Sequence, residues 1–351
     1  MPKEAMMPRE RWLAVLRREK PDRVPMDYWS TAEAQDKLLK YLGVGHEEML
    51  KRLHIDRLFF VEPRYVGPAT PPDEDVFGIK YRDVDYGTGT YREAASHPLA
   101  SYTTVEEIEA NYRWPSPDWW DYSDLPKQVE EYAEYPIVAG GTDRFLLYTL
   151  LRGDQQTYMD LILYPEIGHY CLDKLFELAY QNALRIYETV PGKAMIADVS
   201  DDMGGQEGLL FSPAHLREFL IPRMKRQMDL AHEAGAYVFY HSDGAIREIL
   251  PDMIEAGADI LNPIQWRCKG MEREGLKRDF GDKLIFHGGV DNQYTLPFGS
   301  GQEVRQEVID NLRILGQDGG YILAPCHNIQ AVSPPENVVA LYEAGYEYGW
   351  T

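Results

Sequence analysis

Short runs of apolar and β-branched residues alternate along the chain with longer stretches in which apolar positions recur at three- and four-residue spacing. The rhythm is clearest in the second half, where β-rich runs at 194–199 (AMIADV), 237–241 (YVFYH), 258–263 (ADILNP), 284–288 (LIFHG) and 321–325 (YILAP) are separated by helical patterns. In the first half, strands are predicted at 23–28 (RVPMDY), 55–61 (IDRLFFV) and 136–140 (PIVAG), each followed by a helical stretch. Eight βα units predict an α/β fold, a single (β/α)8 TIM barrel spanning residues 1–351. An open doubly wound sheet is disfavoured because no glycine-rich dinucleotide loop follows any of the strands.

Start and stop signals punctuate the helices. Ser212-Pro213 supplies an N-cap and a first-turn proline for a helix ending near Gly235, and Gly257 reads as the stop before the strand at 258–263. Ser333-Pro334-Pro335-Glu336 reads as a capping box for the last helix. Residues 76–93 alternate in period two around Gly87 and Gly89, which predicts a β-hairpin inserted between the second and third units. The aromatic and proline-rich stretch from Trp114 to Trp120 follows. This insertion, about 70–125, is read either as a lid over the barrel mouth or as packing on the barrel wall.

Composition narrows the partners. Thirty-six Lys and Arg against fifty-seven Asp and Glu give a net charge of −21 over 351 residues. A chain this acidic, without a Lys/Arg cluster, is poorly suited to nucleic acid, which needs phosphate-neutralising cations. The sequence has no apolar run of membrane-spanning length and its first residues are charged, so a cytoplasmic location is expected. Cys171, Cys268 and Cys326 are too few and scattered for a disulfide framework and are read as reduced thiols or metal ligands.

In a (β/α)8 barrel, side chains from distant parts of the chain converge at the carboxyl ends of the strands. Those ends are rich in polar groups here: Asp198, Asp201, Asp202 and Gln206 after the fourth strand, His241 and Asp243 after the fifth, Asn262 and Gln265 after the sixth, His287 and Asp291 after the seventh, and Cys326 and His327 after the eighth. His241, Asp243, Cys326 and His327 form a candidate metal set, since imidazole, thiolate and carboxylate all suit zinc. Adjacent Asp201 and Asp202 point to opposite sides of an extended segment, so one faces the mouth and the other serves structure. Tyr28, Trp29, Tyr240 and Trp266 lie at or just past strand ends and are read either as a substrate wall or as ordinary packing.

Several segments carry a family resemblance: RERWLAVLRREKPDRVPMDY (9–28), HPLA (97–100), ADVSDDMGGQEGLLFSP (197–213), HSDG (241–244), GADILNP (257–263), HGGVD (287–291) and APCHNIQ (324–330). Taken jointly, they resemble the uroporphyrinogen decarboxylase-like superfamily, closest in character to its corrinoid-linked zinc methyltransferases. Two departures matter. Where true decarboxylases of this family carry an arginine-rich glycine loop, this chain reads Asp27-Tyr28-Trp29-Ser30-Thr31, which disfavours porphyrinogen as substrate. Where the methyltransferases use His-x-Cys and a later Cys, this chain offers His241-x-Asp243 with Cys326 or His327, a harder ligand set.

The resemblance implies a metal-dependent methyltransferase that demethylates a small O- or N-methyl compound. Zinc is the implied metal, and the corrinoid would be carried by a separate protein, since no DxHxxG segment occurs in this chain. On this reading His241, Asp243 and Cys326 or His327 are ligands, and Asp202, Asp243 and His327 do the acid-base or charge-stabilising chemistry. Asp201, Gln206 and His287 contact substrate, with Tyr28, Trp29, Tyr240 and Trp266 as its wall. The partners are then a small methyl donor and a corrinoid protein, with a homodimer compatible and membrane excluded. The alternative is a metal-free decarboxylase or lyase acting on a small carboxylate, with Asp202 and His327 as acid and base.

Overall fold

A computed structural model describes residues 4–351 except 86, 88 and 142. Seven parallel strands form one curled sheet in chain order: β1 (Phe59–Phe60), β2 (Ile137–Ala139), β3 (Ile196–Ser200), β4 (Tyr237–His241), β5 (Ile260–Asn262), β6 (Ile285–Val290) and β7 (Tyr321–Pro325). Each lies beside its sequential neighbour, as right-handed βα crossovers require.

The segment predicted as the first strand, 23–28, does not form a ladder. It joins the two edges of the sheet through single bonds: the Leu323 N–H donates to the Pro25 carbonyl at 2.9 Å, the Asp27 N–H to the Leu323 carbonyl at 2.9 Å, and the Asp56 N–H to the Met26 carbonyl at 2.6 Å. The reason is local. Pro25 has no N–H to give, while the Met26 N–H goes to the Asp56 carboxylate at 3.0 Å and the Leu58 N–H to the Asp27 carboxylate at 3.2 Å. Side chains thus take the donors a ladder would use, which also shortens the strand predicted at 55–61 to two residues.

Two apolar layers hold the sheet. Inside it, Leu58, Val138, Ile196, Phe239, Ile260, Ile285 and Ile322 close around Trp12, which the first helix (Pro8–Leu16) inserts as a floor plug with no exposed surface. Outside, Val199, Tyr240, Leu261 and Phe286 pack under the helices. Strand periodicity of two decides which residue goes where.

Ser212 caps its helix as expected, accepting from the His215 N–H at 3.2 Å, and Gly257, at φ +120°, ends the helix Leu250–Ala256. The capping box at Ser333 does not form. The last helix starts at Pro335 with Pro334 as its N-cap, one residue later than the pattern requires, and the Ser333 hydroxyl is buried without a hydrogen-bond partner among the described residues.

In the insertion, Tyr81–Asp85 pairs antiparallel with Thr90–Ala94, and residues 86 and 88 of its turn lie outside the described residues. Trp120–Asp121 pairs with Arg64–Tyr65. Leu99 and Ile108 are fully buried, Trp114 meets Tyr170 edge-on at 6.1 Å, and Arg185 holds Asp118 at 2.7 Å, so the insertion is pinned to the helix Pro165–Thr189. Among the described residues none between 70 and 125 lines the cavity at the mouth. No helix among them is long and apolar enough to cross a membrane.

Candidate active site

The inward-facing positions of β3 to β6 change character two residues beyond the floor. Ile196 is followed by Asp198 and Ser200, Phe239 by His241, Ile260 by Asn262, and Ile285 by His287. All five polar side chains line one cavity of about 390 Å3, with Asp27, Tyr28 and Trp29 on a neighbouring wall. That is within the range of small-molecule sites.

A hydrogen-bonded chain crosses the cavity floor. His241 Nδ1 lies 2.5 Å from the Asn262 side-chain oxygen, the Asn262 Nδ2 lies 2.6 Å from His287 Nδ1, and His287 Nε2 lies 3.1 Å from Asp27 Oδ2. An amide oxygen only accepts, so a proton sits on His241 Nδ1, and in the neutral imidazole it is Nε2 that presents its lone pair to the mouth. An amide N–H only donates, so His287 accepts at Nδ1 and donates from Nε2 to Asp27. A histidine whose other ring nitrogen is held by a side-chain acceptor has its ring direction fixed, as ligating histidines do.

Around His241 Nε2 gather the carboxylates of Asp202 and Asp243, one ligand atom from each residue lying within 4.8 Å of the others. Asp202 Oδ1 is 3.6 Å from His241 Nε2 and accepts from the Asp243 N–H at 2.8 Å. Gln265 braces the same turn, donating to Asp243 Oδ1 at 2.8 Å and accepting from the Gly244 N–H at 2.8 Å. The turn also depends on glycine. A Cβ on Gly244, at φ +88°, would sit 2.3 Å from the Gly204 backbone, so the loops carrying Asp202 and Asp243 touch main chain to main chain. His327 stands beyond, its Nε2 3.9 Å from Asp243 Oδ2 and its ring 5.3 Å from that of Trp29.

Negative charge is in excess here. Among the described residues no lysine or arginine pairs with Asp198, Asp202 or Asp243; histidines are their only ion-pair partners. Burial pushes the Asp198 carboxyl up to about 6, against the opposing Ser200 hydrogen bond. Asp243 is raised for the same first reason, with Asp202 adding repulsion. Burial disfavours the charged form of His241, but the Asn262 bond and the three carboxylates outweigh it and its pKa is raised.

Other sequence candidates lie elsewhere. The Asp201 carboxylate is buried and accepts from the Phe145 N–H at 2.9 Å and the Leu146 N–H at 3.1 Å, capping the helix Arg144–Arg152; it is the structural member of the Asp201-Asp202 pair. Tyr240 points outward into the helix layer, as its place beside His241 dictates, and its hydroxyl reaches Met203 Sδ at 3.3 Å. Trp266 is held between Arg267 and Arg273, each guanidinium 4.4 Å from its ring, outside the cavity lining. Gln206 is exposed and meets the Cys268 thiol at 3.4 Å. Cys326 does not join the cluster: its thiol donates to the Ile264 carbonyl at 3.1 Å, is 2 % exposed, and burial pushes its pKa well up, the reverse of a ligand thiolate. Asn262, noted in the sequence only as a strand-end residue, turns out to set the tautomers of both histidines. Asp143, Arg57 and His46 also line the cavity. They sit in loops or at a helix start and carry no sequence signal.

Residues 128–348 match the model of the family described as Uroporphyrinogen decarboxylase (URO-D). The chain belongs to the URO-D family. Within it, a uroporphyrinogen decarboxylase of Anaeromyxobacter dehalogenans is 24% identical over 97% of this chain and 99% of its own length. A methylcobamide:CoM methyltransferase, MtaA, of Methanosarcina barkeri is 27% identical over 49% of this chain and 45% of its own. This URO-D family member therefore spans less than half the length of that methyltransferase in the match. A solved methyltransferase from Methanosarcina mazei shares its fold with a TM-score of 0.69, covering 98% of this chain and 99% of that one at 20% identity.

Proposed function

We propose that this URO-D family member, a single (β/α)8 barrel domain closed by the bridging segment at 23–28, is a metal-dependent methyltransferase that removes the methyl group from a small O- or N-methyl compound. The observation that carries the reading is the Asp202, His241 and Asp243 cluster, with Nε2 of His241 held as a lone pair by Asn262. One imidazole and two carboxylates without a basic partner suit a divalent cation of zinc-like or harder preference. Such an ion, when bound, supplies Lewis acidity to the heteroatom that loses the methyl group.

The chain's own residues do the rest. Asn262 and Gln265 fix the directions of His241 and Asp243. Trp29 and Tyr28 wall the substrate, and His327, beside Asp243, delivers a proton to the departing heteroatom. The methyl acceptor is a corrinoid on a separate protein, a role consistent with the cobamide-named relative. The metal-free lyase reading keeps one support, a cavity acid, Asp198, whose carboxyl burial pushes up to about 6.

Elemental analysis separates the two. Protein purified without chelator is expected to hold close to one equivalent of a divalent metal, lost in His241→Ala, with both turnover and the unfolding midpoint falling on chelation. Less than about a tenth of an equivalent, with turnover insensitive to chelator, would replace the metal by acid-base residues.

A further inference from the structure

The cavity lining holds two chemically different groups. His241, Asp198 and Asp143 interact with one another and make one acidic, while Arg57, which meets His46 and acts on Tyr28, is the centre of the other, with Leu58, Phe60 and Phe239 among the apolar groups of the wall. Arg57 is half-buried and, in a chain of net charge −21, has no carboxylate partner among the described residues. Its Nη1 meets His46 Nε2 at 2.8 Å, its Nε donates to the Leu58 carbonyl at 3.3 Å, and its guanidinium lies 4.5 Å from the Phe59 ring centroid.

An arginine only donates, so His46 must accept at Nε2 and carry its proton on Nδ1. That Nδ1 is buried and has no hydrogen-bond partner among the described residues. A guanidinium oriented by a neutral histidine and an aromatic face, with donor capacity left over beside an apolar wall, is a fork without its planar anion.

We infer that Arg57, positioned by His46, is the anion-recognising residue of this cavity and takes the carboxylate of the substrate. Resting on the reading above, this makes the substrate class a small methylated carboxylic acid, its acid at Arg57 and its methylated heteroatom at the His241 cluster. The acidic group sets the direction, because Asp198 and Asp143 repel a carboxylate that enters reversed.

Binding of benzoate and of its neutral isostere benzamide to the whole chain tests this without turnover, with calorimetric Kd as the readout. The parent is expected to bind benzoate about tenfold or more tighter than benzamide. Arg57→Gln should abolish that preference while benzamide affinity and metal content stay unchanged, and Arg57→Lys should keep a charge but recover only part of it. His241→Ala should lose metal and keep the benzoate preference.

Equal benzoate binding by the parent and a folded Arg57→Gln overturns the inference even if the metal is present. Tighter binding of benzenesulfonate or phenyl phosphate than of benzoate overturns the carboxylate assignment. Should Arg57→Gln fail to fold, loss of the preference in Arg57→Lys supports the inference and its full retention overturns it. A benzoate preference in protein that holds no metal leaves Arg57 in its role and removes the methyl-transfer reading instead.

Discussion

At the floor of the barrel, Asp56 is 1 % exposed and receives Arg11 Nη1 at 2.5 Å and Arg23 Nη1 at 2.7 Å, while Asp22 holds the other face of Arg11 at 2.7 Å. At the mouth, Asp198, Asp202 and Asp243 share His241 and His327 and, among the described residues, receive no arginine. The floor buries Asp56 and the mouth half-buries Asp198 and Asp243, and loss of water penalises the charged form in each. The floor answers with two guanidinium groups and His54 around three carboxylates, Asp56, Asp22 and Glu4, so every carboxylate there has a basic partner within the chain. The mouth is left with surplus negative charge and a histidine lone pair, an arrangement completed by a cation from outside. A buried charge whose partner lies in the chain is structure; one whose partner is missing is a site.

The largest effect separating the two regions is on stability. Asp56→Ala strands two buried guanidinium groups and is expected to destabilise by about 3–5 kcal/mol, read as a fall in the urea unfolding midpoint. The corresponding deletion at the mouth, Asp202→Ala, removes a half-exposed carboxylate that repels its neighbours. In metal-free protein it should leave the midpoint within about 0.5 kcal/mol of the parent or raise it. If Asp202→Ala costs as much as Asp56→Ala, the mouth is a structural charge network like the floor.

The second effect is on chemistry. His241→Ala and Asp243→Ala are expected to lower turnover a hundredfold or more, about 2.7 kcal/mol in the barrier, while costing no more than about 1–2 kcal/mol of stability. His327→Gln should lower turnover too but retain the metal, because His327 stands outside the compact cluster. Metal content of the three variants, measured beside their activity, distinguishes ligand from proton donor. Retention of a full equivalent by His241→Ala would break the assignment of the cluster.

How much of this contrast the sequence could reveal depends on which rule placed each residue. Strand periodicity and the strand-end rule made His241, Asp202, Asp243 and His287 legible, because each sits at or just beyond an apolar run of the right length. The same periodicity, applied one residue earlier, would have turned Tyr240 outward. Cys326 and Trp266 lie just past strand ends as Asp243 does, but what kept them out of the site was a carbonyl of the loop after β5 and two arginines, contacts made only in three dimensions. Asp201 and Asp202 were separable as a pair but not individually, since the capped helix starts 57 residues earlier in the chain. At the floor, the first strand was legible as an apolar segment, yet its ladder was lost to the Asp27 and Asp56 side chains.

The smallest effect is a difference in sign with pH. Burial raises the Asp22 pKa, but the Arg11 bond and the Ala5 and Met6 N–H groups more than offset it, so the folded value lies below the unfolded one of about 3.9. A depressed carboxyl pKa stabilises the fold fully above the unfolded value, and that contribution is lost as pH falls through the folded value. Asp198 runs the other way. Its folded pKa is raised to about 6, so its penalty is absent below the unfolded value, grows between about pH 4 and 6, and is complete above. Asp22→Asn should therefore destabilise by about 1 kcal/mol at pH 7, a loss that shrinks below pH 4. Asp198→Asn should stabilise chelator-stripped protein by about 2 kcal/mol at pH 8, a gain that disappears by pH 4. Urea unfolding of both variants between pH 3.5 and 8 reads the two slopes directly. If Asp198→Asn instead destabilises at pH 8 in stripped protein, a cationic group of the chain already balances that carboxylate, and the mouth is as self-sufficient as the floor.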